Sequence, residues 1–187
     1  MEIILASKSP RRLELMNYLP FKFISASKDV EEEISDALSP QKNAMILANK
    51  KAKAVALDYK EHIVIGCDTL VVAPNKKILG KPRDKEDAAG MLQMLSGNVH
   101  EVYSGVSMMW HQKEMINNFY QVTLVRMKDL TQDEIMSYIE SKEPFDKAGG
   151  YGIQGKGALF IEEIQGDYYN VVGFPLCKIY KEIKKWL

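Results

Sequence analysis

Between His62 and Val72 the chain runs almost unbroken through apolar residues: His62-Ile63-Val64-Ile65-Gly66-Cys67-Asp68-Thr69-Leu70-Val71-Val72. Apolar residues at successive positions, many of them β-branched, describe a strand buried on both faces. The run reads as one long central strand, or as two strands meeting at Gly66. An ionised Asp68 inside it is costly unless paired, hydrogen-bonded or bound to metal. Two readings stand for it: an aspartate with structural partners, or a carboxylate at a strand end or bend facing a cleft. Gly66 lets backbone or ligand approach closely.

The segments around this strand alternate in kind. Ile3-Ile4-Leu5-Ala6 is a short apolar strand, and Ser9-Pro10 opens a helix expected to run to about Leu19. Phe21-Lys22-Phe23-Ile24 is a further strand. Ser39-Pro40 starts a second helix to about Tyr59, with Ala44, Leu47, Ala48, Ala52 and Val55 on one stripe. Asp84 caps a helix from Lys85 to Leu95, which Ser96-Gly97 stops. Val99–Trp110 and Met115–Val125 are β-rich and predict an antiparallel pair. Thr131 and Glu134 form a capping box for a helix ending near Ser141. Ala158–Ile161 and Tyr168–Val172 predict a hairpin about Gln165-Gly166-Asp167, before a final amphipathic helix to Leu187. The pattern is α/β with a mixed sheet, a single domain over 1–187 arranged as two lobes with a cleft between them.

Charged residues fall at places that invite an anion. In Ser7-Lys8-Ser9-Pro10-Arg11-Arg12, two arginines occupy a first helical turn, where the dipole disfavours each by roughly 0.3–1 kcal/mol at an exposed site. A phosphate held by backbone N–H groups, the serine hydroxyls and both guanidinium forks reverses that sign. A solvated basic turn is the alternative. Asp29-Val30-Glu31-Glu32-Glu33 is either a solvated loop or the source of one inward carboxylate beside a cation. Lys51 falls within the apolar stripe of the second helix, so it snorkels to an edge or meets an anion. Gly80-Lys81-Pro82 holds a lysine in a stiff loop and lacks the P-loop pattern. In Asp146–Gly157, five glycines leave Tyr151, Ile153 and Gln154 on a nearly bare backbone. Either that loop is simply flexible, or the Gln154 amide reads a base edge.

Composition narrows the classes. Lys plus Arg (25) equals Asp plus Glu (25), so no global field draws the chain to nucleic acid or membrane. Two cysteines, Cys67 and Cys177, make no disulfide framework and lack metal-ligand spacing, which suits a reduced, cytoplasmic setting. No apolar run approaches the roughly 20 residues of a membrane span.

Taken together, Ser7–Arg12, Gly66-Cys67-Asp68-Thr69, Gly80-Lys81-Pro82, Asp146–Gly155 and Val171-Val172-Gly173-Phe174-Pro175 resemble the Maf family, in order and at family-like spacing over almost the whole chain. The resemblance implies a Maf/ITPase-like fold, with a mixed twisted sheet flanked by helices. It also implies hydrolysis of a nucleoside triphosphate to its monophosphate and pyrophosphate with Mg²⁺ or Mn²⁺. The Gly-Tyr-Gly-Ile-Gln-Gly form of the late loop is similar to the dTTP/UTP subgroup, with CTP and modified pyrimidine nucleotides left open; the 7-methyl-GTP subgroup differs there. Carried over position by position, Asp68 matches the proton acceptor, and Arg11, Thr69 and Gln154 the specificity positions. Ser7, Arg12, Glu32, Lys51 and Lys81 match the remaining catalytic and phosphate-contact positions, with Glu32 and Asp68 as metal carboxylates. Cys67 stands where Ala or Ser is expected, and Gly150 where Ala is usual. A homodimer is a further family-level expectation. The rival class is a non-enzymatic nucleotide- or nucleic-acid-binding regulator of septum formation; zero net charge and the lack of a basic stripe weigh against nucleic acid.

Overall fold

In chain order the computed structural model, which describes residues 2–187, contains β1 (Glu2–Leu5), α1 (Pro10–Met16), β2 (Lys22–Ser25), α2 (Pro40–Ala56), β3 (Ile63–Val72), β4 (Ile78–Leu79) and α3 (Lys85–Leu95). There follow β5 (Val99–Trp110), β6 (Met115–Met127), α4 (Gln132–Glu140), β7 (Ile161–Gln165), α5 (Tyr168–Val172) and α6 (Leu176–Lys184). The strands form one mixed sheet in the order β2-β1-β3-β5-β6-β7, with β4 paired to β3. β1 runs parallel to both its neighbours, with Ile4 opposite Ile24 and Val64. β3–β4 and β6–β7 are antiparallel. The apolar run 63–72 is thus a single strand, buried at every position but Thr69.

The chain forms two compact units, and β3, β5 and β6 each contribute residues to both. The first unit takes residues 2–68, Ser104–Gln121 and Gly173–Leu187. Its core joins Ile4, Ala6, Ala52, Val55, Ala56, Val64 and Met109. The predicted stripe of α2 is the buried one: Ala44, Leu47, Ala48, Ala52 and Val55 all face inward. Two glycines allow this helix to lie directly on the sheet. A Cβ at Gly66 would come within 2.3 Å of the Ala48 carbonyl oxygen and 2.6 Å of the Ala52 nitrogen. One at Gly105 would come within 2.2 Å of the Ala44 carbonyl. Helix backbone meets strand backbone with no side chain between them.

The second unit takes Thr69–Tyr103 and Val122–Val172. Its core gathers Val71, Leu79, Ala88, Leu92, Leu95, Val102, Val125, Ile135, Ile139 and Phe160, among others. Asp84 caps α3 by accepting the Asp87 N–H at 2.8 Å. The Thr131–Glu134 capping box is present at α4.

Four expectations change. α6 ends at Lys184 instead of Leu187, closing with turns from Lys185 and Trp186 to Glu182 and Ile183. α1 ends at Met16 instead of near Leu19, closing with three-residue turns from Asn17, Tyr18 and Leu19 to Glu14, Leu15 and Met16. Pro20 is the reason, since it disfavours helical backbone at the residue before it. α2 closes the same way at Ala56 instead of Tyr59, through Asp58 and Tyr59 turns. The late hairpin is absent from its expected place. Gly155–Phe160 is a 3₁₀ stretch, the strand there is Ile161–Gln165 against β6, and Tyr168–Val172 is α5. The Asp167 carboxylate accepts the Tyr169 N–H at 2.9 Å, so Asp167 acts as a cap and starts a helix where β-branched composition suggests a strand.

Candidate active site

The close seat of α2 on β3 fixes one cluster of charge. Gly66 and Asp68 are two residues apart on a strand, so they share a face. Lys51 lies between Ala48 and Ala52, the two residues that touch Gly66, so it projects toward that face. Lys51 Nζ donates to Asp68 Oδ1 at 2.5 Å and stands 2.7 Å from Glu32 Oε1. Asp68 is 6% exposed. Burial pushes its carboxyl pKa up from the ordinary aspartate value, against the opposing pull of Lys51 and Arg12. A carboxylate held by cations yet made more basic by desolvation is better suited to accepting a proton than an ordinary aspartate.

Glu32 lies in the irregular stretch between β2 and α2, and α2 itself tethers that stretch. The buried Asn43 carboxamide accepts the Ser35 N–H and donates to the Ser35 carbonyl, both at 2.9 Å. Lys50 Nζ donates to the Glu31 carbonyl at 3.2 Å. Of the acidic cluster, Glu32 is the carboxylate brought to Lys51; Asp29 pairs instead with Lys8 at 3.0 Å, both exposed.

Arg12 also reaches β3. Its Nε donates to the Gly173 carbonyl at 2.9 Å and its Nη1 to the Cys67 carbonyl at 2.7 Å. The same Gly173 oxygen accepts from Cys67 Sγ at 3.3 Å. Burial raises the Cys67 pKa, with Arg12 opposing, and keeps the sulfur protonated. Arg12 therefore braces the strand next to Asp68. Ser9 has the extended backbone of an N-cap and Pro10 follows it, but the Ser9 side chain makes no cap hydrogen bond. Its N–H goes to Ser7 Oγ at 3.1 Å, and Ser7 is buried. Arg11 is half-buried on the first turn of α1.

Thr69, Lys81 and Gln154 belong to the second unit. There the Gly149 N–H donates to the Gly80 carbonyl at 2.9 Å, which stitches the Lys81 loop to the glycine-rich stretch. Gly149, Gly150 and Gly155 have φ of 71°, 69° and 71°, which L side chains resist. Gly157 lies so near Gly152 that a Cβ would stand 2.3 Å from its carbonyl oxygen. Tyr138 Oη accepts the Gly152 N–H at 3.2 Å, and the Glu143 carboxylate accepts the Lys156 N–H at 3.2 Å. Gln154, half-buried, is the residue preceding the 3₁₀ stretch. Tyr151 does not hang free. It is buried, with its hydroxyl 2.6 Å from His100 Nε2 and the two rings edge-to-face. Burial lowers the His100 pKa to about 4 and raises that of Tyr151, so both are neutral.

Sequence reasoning missed Asn43, His100, Tyr138 and Glu143 as builders of these two loops. None carries a local signal: Asn43, Tyr138 and Glu143 act through backbone groups elsewhere in the chain, and His100 through the Tyr151 hydroxyl. Among the described residues no three His, Cys, Asp or Glu side chains gather as a metal group, and no helix is long and apolar enough to cross a membrane.

Residues 2–186 match the family described as Maf-like protein. A protein of Carboxydothermus hydrogenoformans named dTTP/UTP pyrophosphatase is 50% identical over 186 residues, covering 100% of this chain and 99% of the relative. One of the same name from Bacillus cytotoxicus is 50% identical over 185 residues, covering 99% and 95%. Among solved structures, a HAM1 protein from Coxiella burnetii aligns over 99% of both chains with a TM-score of 0.59 at 18% identity. The Staphylococcus aureus Ham1 protein aligns over 69% of this chain and 73% of its own, with a TM-score of 0.51 at 19% identity. Those two share the architecture. With the family match spanning all but the ends and half the residues shared along full-length relatives, the chain belongs to the Maf family.

Proposed function

We propose that the chain hydrolyses dTTP and UTP to the monophosphate and pyrophosphate. Water attacks the α-phosphorus, the bond from that phosphorus to the oxygen bridging the β-phosphate breaks, and the water's proton passes to Asp68. The observation that carries the reading is the meeting of Glu32 and Asp68 on Lys51 in the first unit, where Asp68 and most of Lys51 are buried and Glu32 is exposed. Full-length relatives named dTTP/UTP pyrophosphatase support the choice of substrate.

In this reading the raised pKa of Asp68 sets its basicity. Arg11, Lys51 and Lys81 offset the charge that grows on the departing pyrophosphate, which is most of the catalytic work in phosphoryl transfer. Arg12 holds the Asp68 strand in place and adds positive charge. Ser7 braces the turn ahead of α1, Thr69 follows the base on β3, and Gln154 offers a donor and an acceptor to the pyrimidine. Two carboxylates gathered on one cationic group fit Mg²⁺ or Mn²⁺, which take one or two protein carboxylates and complete their shell with water and phosphate oxygens. Bound by Glu32 and Asp68, such an ion would lower the pKa of water and gather the triphosphate charge. A cytoplasmic setting belongs to the same reading. So does a homodimer, which light scattering after size exclusion measures.

Separating the products of dTTP by ion-exchange chromatography tests the reaction. Thymidine monophosphate with pyrophosphate is expected, and the diphosphate with orthophosphate would overturn the attack at the α-phosphorus. Competing dTTP, UTP, CTP and purine triphosphates in one assay ranks the bases.

A further inference from the structure

Lys51 Nζ stands 2.7 Å from Glu32 Oε1 and 2.5 Å from Asp68 Oδ1, and its side chain is only 17% exposed. These are the two carboxylates assigned to the divalent ion above. An ammonium group in direct contact with both fills the place in which they would hold that ion, and two cations cannot share one pair of oxygens without strong repulsion. The surroundings dictate which parts can give way. Main-chain movement of α2 at Lys51 is blocked, since Ala48 and Ala52 rest on Gly66. The stretch bearing Glu32 is pinned through Asn43 at Ser35 and Lys50 at Glu31. What can move is the four-carbon stem of the lysine.

We propose that Lys51 is the resident cation of the Glu32–Asp68 pair in the nucleotide-free protein, and that the ammonium group and a divalent ion are alternative occupants. Entry of the ion swings Lys51 off the carboxylates and frees its charge for the triphosphate. The protein thereby keeps its carboxylates paired when idle, and binds metal well only when a phosphate is there to receive the lysine. This rests on the reading of Glu32 and Asp68 as the metal carboxylates.

The test is Mn²⁺ binding without nucleotide, followed by the EPR signal of free Mn²⁺. Lys51→Met, similar in length and uncharged, is expected to bind Mn²⁺ at least about tenfold more tightly than wild type, the weight of one charge-assisted hydrogen bond. Equal or weaker binding overturns the proposal, as does no binding to either protein. Adding Glu32→Gln to Lys51→Met is expected to remove the gain; a gain that persists places the ion elsewhere and also overturns it. A second measurement needs no variant to fold alone. In wild-type protein with pyrophosphate present, the ¹³Cε signal of Lys51, assigned by its loss in Lys51→Arg, is expected to shift further as Mg²⁺ is added, and a signal that Mg²⁺ leaves stationary overturns the exchange. Pyrophosphate release by wild type, run in parallel, keeps the two readings separate. Release with no Mn²⁺ gain in Lys51→Met sinks the exchange alone, whereas no release sinks the proposed reaction.

Discussion

The two clusters of sequence-predicted site residues are built on opposite principles. In the first unit, Glu32, Lys51 and Asp68 are held by one another's charge, and they meet because two backbones touch at Gly66. In the second, the loop carrying Gln154 is held by neutral or main-chain partners: Tyr151 on His100, the Gly152 N–H on Tyr138, the Gly149 N–H on Gly80. The charged groups here also work on main chain: the Glu143 carboxylate accepts the Lys156 N–H, and Lys147 Nζ donates to the Glu143 carbonyl. Lys51 and Asp68 are mounted on a helix and a strand whose backbones touch, while Glu32 comes from the irregular stretch between β2 and α2. A loop that only presents a side chain is shaped by its own backbone and needs no mobile charge beneath it. The first cluster should therefore fail in chemistry when altered, and the second in stability.

The largest expected break is Asp68→Asn. Removing the base should cost roughly 10²–10⁴-fold in turnover while nucleotide binding persists, as read by single-turnover pyrophosphate release beside equilibrium dialysis. Turnover near wild type would remove the contrast between the clusters. Next comes acid. His100 is neutral when folded because burial lowers its pKa to about 4, whereas the unfolded chain protonates near 6.5. The unfolded state thus binds more protons between these values, and stability falls as pH drops through that window, by about 3 kcal/mol in full. Urea midpoints at pH 7, 5.5 and 4.5 measure it, and His100→Gln should flatten that component.

Gly66→Ala joins the two regions' logics. Its methyl group would press on the α2 backbone, with an overpacking cost of about 1–3 kcal/mol and a matching loss of activity as Lys51 moves. Gly80→Ala, with nothing within 4 Å of its Cβ, is the control for stability, expected within about 0.5 kcal/mol of wild type. Between Gly66→Ala and that control falls Gly150→Ala. A residue at φ of 69° bears about 1–2 kcal/mol when it gains a Cβ, so the glycine here relieves strain that the alanine usual in the resemblance would carry. Denaturant melts of this pair sharpen how far the loop depends on backbone geometry alone.

Much of the first cluster was legible because its signals are local and periodic. Lys51 falls on an apolar helical stripe, Asp68 interrupts an apolar run, and Gly66 sits beside it. Each breaks a pattern for a reason the structure supplies. The carboxylate chosen from Asp29–Glu33 was not legible from spacing, since that choice depends on Asn43 holding Ser35. The 3₁₀ stretch and α5 were misread for a similar cause. Local composition near 158–172 favours strand, and an Asp167 cap together with tertiary contacts overrides it. His100 gave no warning, because a histidine in a β-rich run says nothing of the tyrosine that meets it 51 residues later.

The Arg12 guanidinium ties together backbone at residues 12, 67 and 173, a span of 161 positions. The strand carrying Asp68 is accordingly framed only when the Gly173 backbone reaches Arg12. Long-range closure of this kind is slow to form, so the corner around Asp68 assembles as a whole, not progressively from its N-terminal elements.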